Sequence, residues 1–135
     1  MTEVPGAADA ATAALEELVG VIDQCILQLE HARARAAELL ASRGAGVSWL
    51  EIVTAERRPL VVESVSAVLA TLARAGSTFR REQAYALRGE RVSINRIAAL
   101  FGVTRQRISA LLRERAAISA AAGGTGQATS ASIAL

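Results

Sequence analysis

The chain has 135 residues, of which 52% are hydrophobic and only 3% are aromatic. Its core must therefore consist largely of Ala, Val, Leu and Ile, which suits closely packed helices and disfavours a ligand-enclosing β-barrel. The single cysteine, Cys25, excludes an intrachain disulfide, and the chain contains no run of about 18 apolar residues that could span a membrane. No signal-peptide pattern opens the sequence, so we expect an all-α protein of the cytoplasm.

The net charge of +2 conceals opposite charges in two parts of the chain. Residues 1–73 hold five Arg and ten acidic residues, whereas residues 74–115 hold ten Arg and three acidic residues. The last twenty residues are uncharged, and the chain contains no Lys. A basic segment is the electrostatic signature of a surface that binds phosphates, although an ordinary solvated face can have the same composition.

The first predicted element is a long helix from about Ala11 to Ser42, preceded by residues 1–10, which we expect to be disordered. Its apolar residues form a heptad pattern with one seam position at Leu15, Ile22, Leu29 and Ala36 and the other at Leu18, Cys25, Ala32 and Leu39. This pattern fits a dimerising arm. A wider apolar stripe, extended by Val19, Ile26 and Leu40, fits packing within the chain equally well.

Short helices are predicted next. Gly44 and Gly46 end the long helix, and Ser48 with Glu51 forms a capping box for a helix from Trp49 to about Ala55.

Two further helices are expected between Pro59 and Arg88. Pro59 suits the first position of a helix, and Gly76 would end that helix. Ser77 or Thr78 would then cap the next helix, which would run to about Arg88.

Part of the first half recurs about 45 residues later in the chain. Arg43-Gly44, Val47-Ser48 and Ile52 are matched by Arg88-Gly89, Val92-Ser93 and Ile97. The match indicates either an internal duplication or a coincidence in an Ala-rich sequence.

The last two predicted helices, from Ile94 to about Leu100 and from Arg105 to about Ala117, have the spacing of a helix-turn-helix. Ile97 and Ala98 supply the inner face of the first helix. Gly102 can adopt the positive φ of the turn, and Thr104 caps the second helix. Val103, Ile108 and Leu111 or Leu112 are expected to anchor the second helix inward.

The turn and the start of the second helix carry the run Phe101-Gly102-Val103-Thr104-Arg105-Gln106-Arg107-Ile108. This run resembles the DNA-reading part of region four in bacterial primary sigma factors, and the resemblance extends from Ser93 to Arg115. It implies a sigma-like module that binds promoter DNA, since the family uses this run to read the −35 element. The sigma regions that bind the −10 element have no counterpart here. After Ile108 the chain departs from the family pattern, because Ser109-Ala110-Leu111-Leu112 replaces the family's polar continuation, so the DNA sequence that is read stays open.

Candidate DNA contacts lie on the outward positions of the second helix. Arg can bond two acceptors of guanine and Gln can pair with adenine, so we expect base contacts from Arg105 and Gln106, supported by Ser109 and Ala110 against a thymine methyl. Phosphate contacts are expected from Thr104, Arg107 and Arg113. Arg80 and Arg81, near the preceding helix's start, either add backbone contacts or are simply solvated.

These patterns predict an all-α transcription regulator with four parts. Residues 1–10 and 119–135 would be disordered, residues 11–76 would form an acidic helical region for dimerisation or partner binding, and residues 77–118 would bind duplex DNA. We expect a cytoplasmic, nucleoid-associated homodimer without enzymatic activity, cofactor or metal, since Cys25 and His31 lack further ligands and no catalytic triad or phosphate-binding loop is present. The competing interpretation is an interaction protein whose acidic half binds a sigma factor, RNA polymerase or another regulator.

Overall fold

A computed structural model describes residues 7–133 of the protein, with side chains for residues 10–123. Over these residues the chain forms five α-helices and no strand, which confirms the all-α expectation. The helices are α1 (Ala7–Gly44), α2 (Trp49–Ala55), α3 (Val61–Gly89), α4 (Ile94–Phe101) and α5 (Arg105–Ile133). One compact unit is Glu16–Gly76, and a second comprises the described residues of Met1–Leu15 and Ser77–Leu135. Disorder was expected over residues 1–10, of which residues 1–6 lie outside the described range, whereas residues 7–10 are helical.

Helix α3 runs without interruption through the position at which the sequence predicted a break. The expected stop at Gly76 and the expected cap at Ser77 or Thr78 are therefore wrong. A glycine inside a helix costs only about 1 kcal/mol relative to alanine, and the flanking residues continue the helix. A single Gly without a following Pro is thus a weak stop.

The start of α3 also differs from the expectation, because Pro59 precedes the helix by two residues. The carboxylate of Glu63 accepts a hydrogen bond of 2.8 Å from the backbone N–H of Leu60, and that of Glu56 accepts one of 2.7 Å from Val61. These side chains satisfy N–H groups that have no partner within the helix. They fix the first turn at Val61.

Within the unit Glu16–Gly76, α1 packs through only one half of its predicted heptad pattern. Cys25 and Ala32 are buried, and the Cys25 Sγ lies 3.9 Å from the carbonyl oxygen of Val68 on α3. At the other seam position Leu15, Ile22 and Leu29 are exposed, while Ala36 is half-buried. Packing within the chain therefore explains the apolar residues Cys25 and Ala32, but it does not explain why Leu15, Ile22 and Leu29 are apolar.

The core of the second unit lies where α3, α4 and α5 meet. Its buried residues are Ala84 on α3, Ile97 and Ala98 on α4, and Ile108 and Leu111 on α5. Burial of each large aliphatic side chain contributes about 1.5–3 kcal/mol. Ala84 and Ala98 are small, which allows close approach of the helices that carry them.

The sequence repeat is also a repeat of local structure. At the end of α1, Gly46 adopts φ 91°, and the Val47 N–H bonds to the carbonyl of Ser42 at 3.1 Å. At the end of α3, Arg91 adopts φ 67°, and the Val92 N–H bonds to the carbonyl of Leu87 at 3.0 Å. Both helices thus end in the same left-handed turn.

The helices that follow these turns also begin alike. Ser48 and Ser93 cap α2 and α4 with almost identical backbone angles, φ −70° and ψ 152° against φ −69° and ψ 153°. Each serine oxygen accepts a hydrogen bond from the backbone N–H three residues later. Ile52 and Ile97, four residues after each cap, are both buried. The matched residues of the two segments therefore form matching turns, caps and buried positions.

Helix α5 is longer than the sequence predicted. It continues to Ile133, whereas an end near Ala117 and a disordered segment from residue 119 were expected. Alanine has the highest intrinsic helix propensity, so the Ala-rich residues 116–122 favour continuation of the helix beyond Ala117. Residues 134 and 135 of the expected disordered segment lie outside the described range. No helix in the described part is both long enough and apolar enough to cross a bilayer.

Candidate functional site

A connection of three residues joins α4 to α5 and fixes the direction of α5. Gly102 adopts φ 68° and ψ 33°, and the Val103 N–H bonds to the carbonyl of Ala98 at 3.1 Å. The hydroxyl of Thr104 then accepts a hydrogen bond of 3.1 Å from the Arg107 N–H. The expected positive φ at Gly102 and the expected cap at Thr104 are both confirmed.

The inner face of α5 is firmly anchored. Ile108 is 0% exposed and Leu111 is 2% exposed, in agreement with the sequence, and Leu112 is half-buried. Val103 was expected to point inward, but it is 39% exposed. The backbone N–H of Val103 closes the turn by its hydrogen bond to the carbonyl of Ala98, so the Val103 side chain is not needed as an anchor.

The outer face of α5 carries a shallow groove of about 320 Å³, which we call the α5 groove. It is lined by Arg105, Gln106, Ser109 and Arg113. Among the described residues, neither of its two arginines forms an ion pair. The structure therefore brings together four of the predicted contact residues on one face, with their donors available.

The remaining predicted residues of α5 lie beside the groove. Arg107 is exposed and Ala110 is half-buried. The Thr104 oxygen accepts the helix-capping hydrogen bond, so its own O–H can still be donated to a ligand.

Arg80 and Arg81 do not line the groove. The guanidinium of Arg80 lies 4.4 Å from the ring centroid of Phe101, and the Arg81 Nε donates to the carboxylate of Glu82 at 3.2 Å. Both side chains thus have partners within the chain, and their contact with DNA stays a prediction.

Sequence reasoning missed the residues that hold α5 against α3. Glu82 is buried, and its carboxylate accepts hydrogen bonds from Arg81 and, at 2.7 Å, from the Arg115 Nε. The Arg115 guanidinium also stacks 4.5 Å from the ring centroid of Tyr85. A usable indication was present in the sequence: Glu82 lies between Phe79 and Tyr85 at helical spacing on an otherwise apolar face.

A larger cleft of about 780 Å³ lies in the unit Glu16–Gly76, and several of its charged lining residues are already engaged. Arg35 donates to the carbonyls of Arg57 and Pro59, and Arg58 pairs with Glu63 at 2.9 Å. The Glu56 carboxylate caps α3. These groups stabilise the connection between α2 and α3.

The α5 groove instead lies in the segment Ser77–Leu135, which carries nine Arg and three acidic residues. No known protein family, no curated protein and no solved structure matches this chain. The functional proposal therefore depends on the α5 groove, on its charge and on the core beneath it.

Proposed function

We propose that the protein is a transcription regulator that binds double-stranded DNA in a sequence-specific manner. In this proposal α4 and α5 form a helix-turn-helix, and α5 enters the major groove, which is about 12 Å wide and admits one helix. The observation that carries the proposal is the α5 groove, where four side chains suited to DNA contact share one surface. On the opposite face of the same helix, Ile108 and Leu111 are buried in the core.

Direct readout would come from the N-terminal end of α5. Arg105 offers two parallel donors that match the O6 and N7 atoms of guanine, and Gln106 offers a donor and an acceptor that match adenine. Ser109 and Ala110 lie one turn further along and leave room for a base edge or a thymine methyl.

Phosphate contacts would set the position of α5 on the duplex. Arg107 and Arg113 are exposed and unpaired among the described residues, and the Thr104 hydroxyl is placed at the start of the helix. Such contacts carry affinity rather than sequence information, and they make binding depend on salt.

The test is to select bound sequences from a random duplex library with the full chain, and then to measure affinity by fluorescence anisotropy at several salt concentrations. We expect a preferred site, and an affinity that falls linearly on logarithmic axes as salt rises. A variant with Arg105, Arg107 and Arg113 all replaced by Ala should lose binding. Arg57→Ala, which removes one exposed arginine from the other unit, should bind normally, whereas Arg107→Ala, which removes one exposed arginine from α5, should bind more weakly.

The absence of any salt-dependent duplex binding by the unaltered chain would contradict the proposal. It would favour the competing interpretation, in which the acidic helical half binds another protein.

A further inference from the structure

Helix α1 has two apolar faces, and only one of them is packed within the chain. Cys25 and Ala32 on the packed face are buried. The other face forms a continuous row, which we call the α1 stripe, and its members are 40–53% exposed: Leu15, Val19, Ile22, Ile26 and Leu29. Five large aliphatic side chains in line are far more than the scattered apolar residues of an ordinary surface.

The spacing of the α1 stripe specifies what kind of element would cover it. Successive members lie four, three, four and three residues apart, which is the a and d pattern of a coiled coil. Val19 and Ile26 occupy the a positions, while Leu15, Ile22 and Leu29 occupy the d positions. Branched residues at a with predominantly leucine at d favour two-stranded parallel pairing.

We propose that the α1 stripe is the seam of a parallel homodimer, covered by the same helix of a second copy of this chain. The seam depends on α1 alone and stands or falls independently of the proposed DNA binding. It differs from the seam expected from sequence. Cys25 and Ala32 are buried by packing within the chain, and the exposed residues Val19 and Ile26 take their place in the seam.

The charges beside the stripe select the parallel orientation. Glu16, Asp23 and Glu30 are exposed at the e positions along one edge, and no ion pair involves them within the described residues. In an antiparallel pair centred on the stripe, edges of the same type face each other, so Asp23 would oppose the Asp23 of the second copy. In a parallel pair each e position faces the g edge of the second copy, where α1 carries no acidic residue: its g positions are Leu18, Cys25 and Ala32, of which Cys25 and Ala32 are buried within the chain.

Sedimentation equilibrium of the full chain without DNA tests the seam. We expect a mass of twice 14.1 kDa at micromolar concentration. Ile22→Asp and Ile26→Asp each place a carboxylate in the seam and should raise the dissociation constant at least ~100-fold. Leu27→Asp is the matched control: this residue is 66% exposed on the same helix but outside the stripe, and its variant should stay dimeric.

Circular dichroism should show the same helix content for all three variants, since the substituted side chains are exposed within one chain. A monomeric unaltered protein at micromolar concentration would overturn the proposal. Retention of the dimer by Ile22→Asp and Ile26→Asp together would overturn it as well.

Cysteine crosslinking tests the orientation, in a background in which Cys25→Ala removes the native thiol. In a parallel pair, two copies of Leu29→Cys face each other at a d position and should form a disulfide under mild oxidation. In an antiparallel pair a d position faces an a position, so crosslinks would instead require a mixture of Leu29→Cys with Val19→Cys. Crosslinks that appear only in the mixture would overturn the parallel arrangement.

Discussion

The Nε of Arg115 on α5 donates a hydrogen bond of 2.7 Å to the buried carboxylate of Glu82 on α3. Arg81 donates to the other oxygen of the same carboxylate at 3.2 Å. A buried carboxylate is costly unless it is paired and hydrogen-bonded, and here two guanidiniums satisfy that requirement. The contact therefore locks α5 onto α3 immediately after the groove residues.

We predict that Glu82→Gln lowers the free energy of unfolding by about 1–3 kcal/mol, because two half-buried guanidiniums would then face a neutral amide. Urea denaturation followed by circular dichroism measures this change. Glu114→Gln is the matched control, since it removes the same charge from an exposed residue next to Arg115 and should change stability little. Equal effects of the two substitutions would show that the pair has no special structural role.

The two left-handed turns provide a second prediction. Arg91 adopts φ 67°, a conformation that costs non-glycine residues roughly 1–2 kcal/mol, while the equivalent position in the first repeat is Gly46. Arg91→Gly should therefore stabilise the protein by about 0.5–1 kcal/mol after the entropy of the more flexible unfolded chain is subtracted. Arg91→Ala keeps the strain and removes the same charge, so it should give no such gain in a thermal melt.

Gly102 provides the opposite case. Its φ is 68°, and a Cβ added there would meet nothing within 4 Å, so a substitution would act through the backbone alone. We predict that Gly102→Ala lowers the free energy of unfolding by about 1–2 kcal/mol. A thermal melt in which Gly102→Ala is as stable as the unaltered protein would show that the positive φ at residue 102 does not destabilise alanine.

The features that the sequence predicted correctly are encoded by neighbouring residues. Ser48 as the cap of α2, Gly102 as a left-handed turn and Thr104 as the cap of α5 each act through hydrogen bonds that span only a few residues. The same holds for the inner face of α5, where helical spacing alone indicates that Ile108 is buried.

The features that the sequence did not predict depend on competition or on distant contacts. Gly76 does not end α3. The sequence alone does not show whether the small cost of one glycine outweighs continuation of the helix, so the prediction of a stop failed. The pairing of Glu82 with Arg115 joins residues 33 apart. Periodicity likewise identified the apolar residues of α1 without showing which face α3 would cover.

The C-terminal part of α5 is predicted to be dispensable. Every side chain from residue 116 to residue 123 is exposed, and residues 116–135 carry no charge. Deletion of residues 123–135 should lower the helical signal, yet change the free energy of unfolding by less than about 0.5 kcal/mol and leave duplex affinity unaltered. A large fall in melting temperature would show that this segment contributes to the fold.

The sharpest prediction separates base reading from phosphate binding within the α5 groove. If Arg105 and Gln106 meet base edges, Arg105→Ala or Gln106→Ala should cost about 1–3 kcal/mol on the preferred duplex and much less on a scrambled duplex. Arg113→Ala should weaken binding to both duplexes alike, and should reduce the slope of log affinity against log salt by about one.

Anisotropy titrations of all three variants on both duplexes measure these differences, and circular dichroism confirms that the exposed substitutions leave the fold intact. Because the three side chains line the same groove, a general disturbance of that surface would change all variants in the same way, whereas the proposed roles require different responses to sequence and to salt. Unchanged discrimination by Arg105→Ala, in a protein that still binds DNA, would place base reading elsewhere on the molecule.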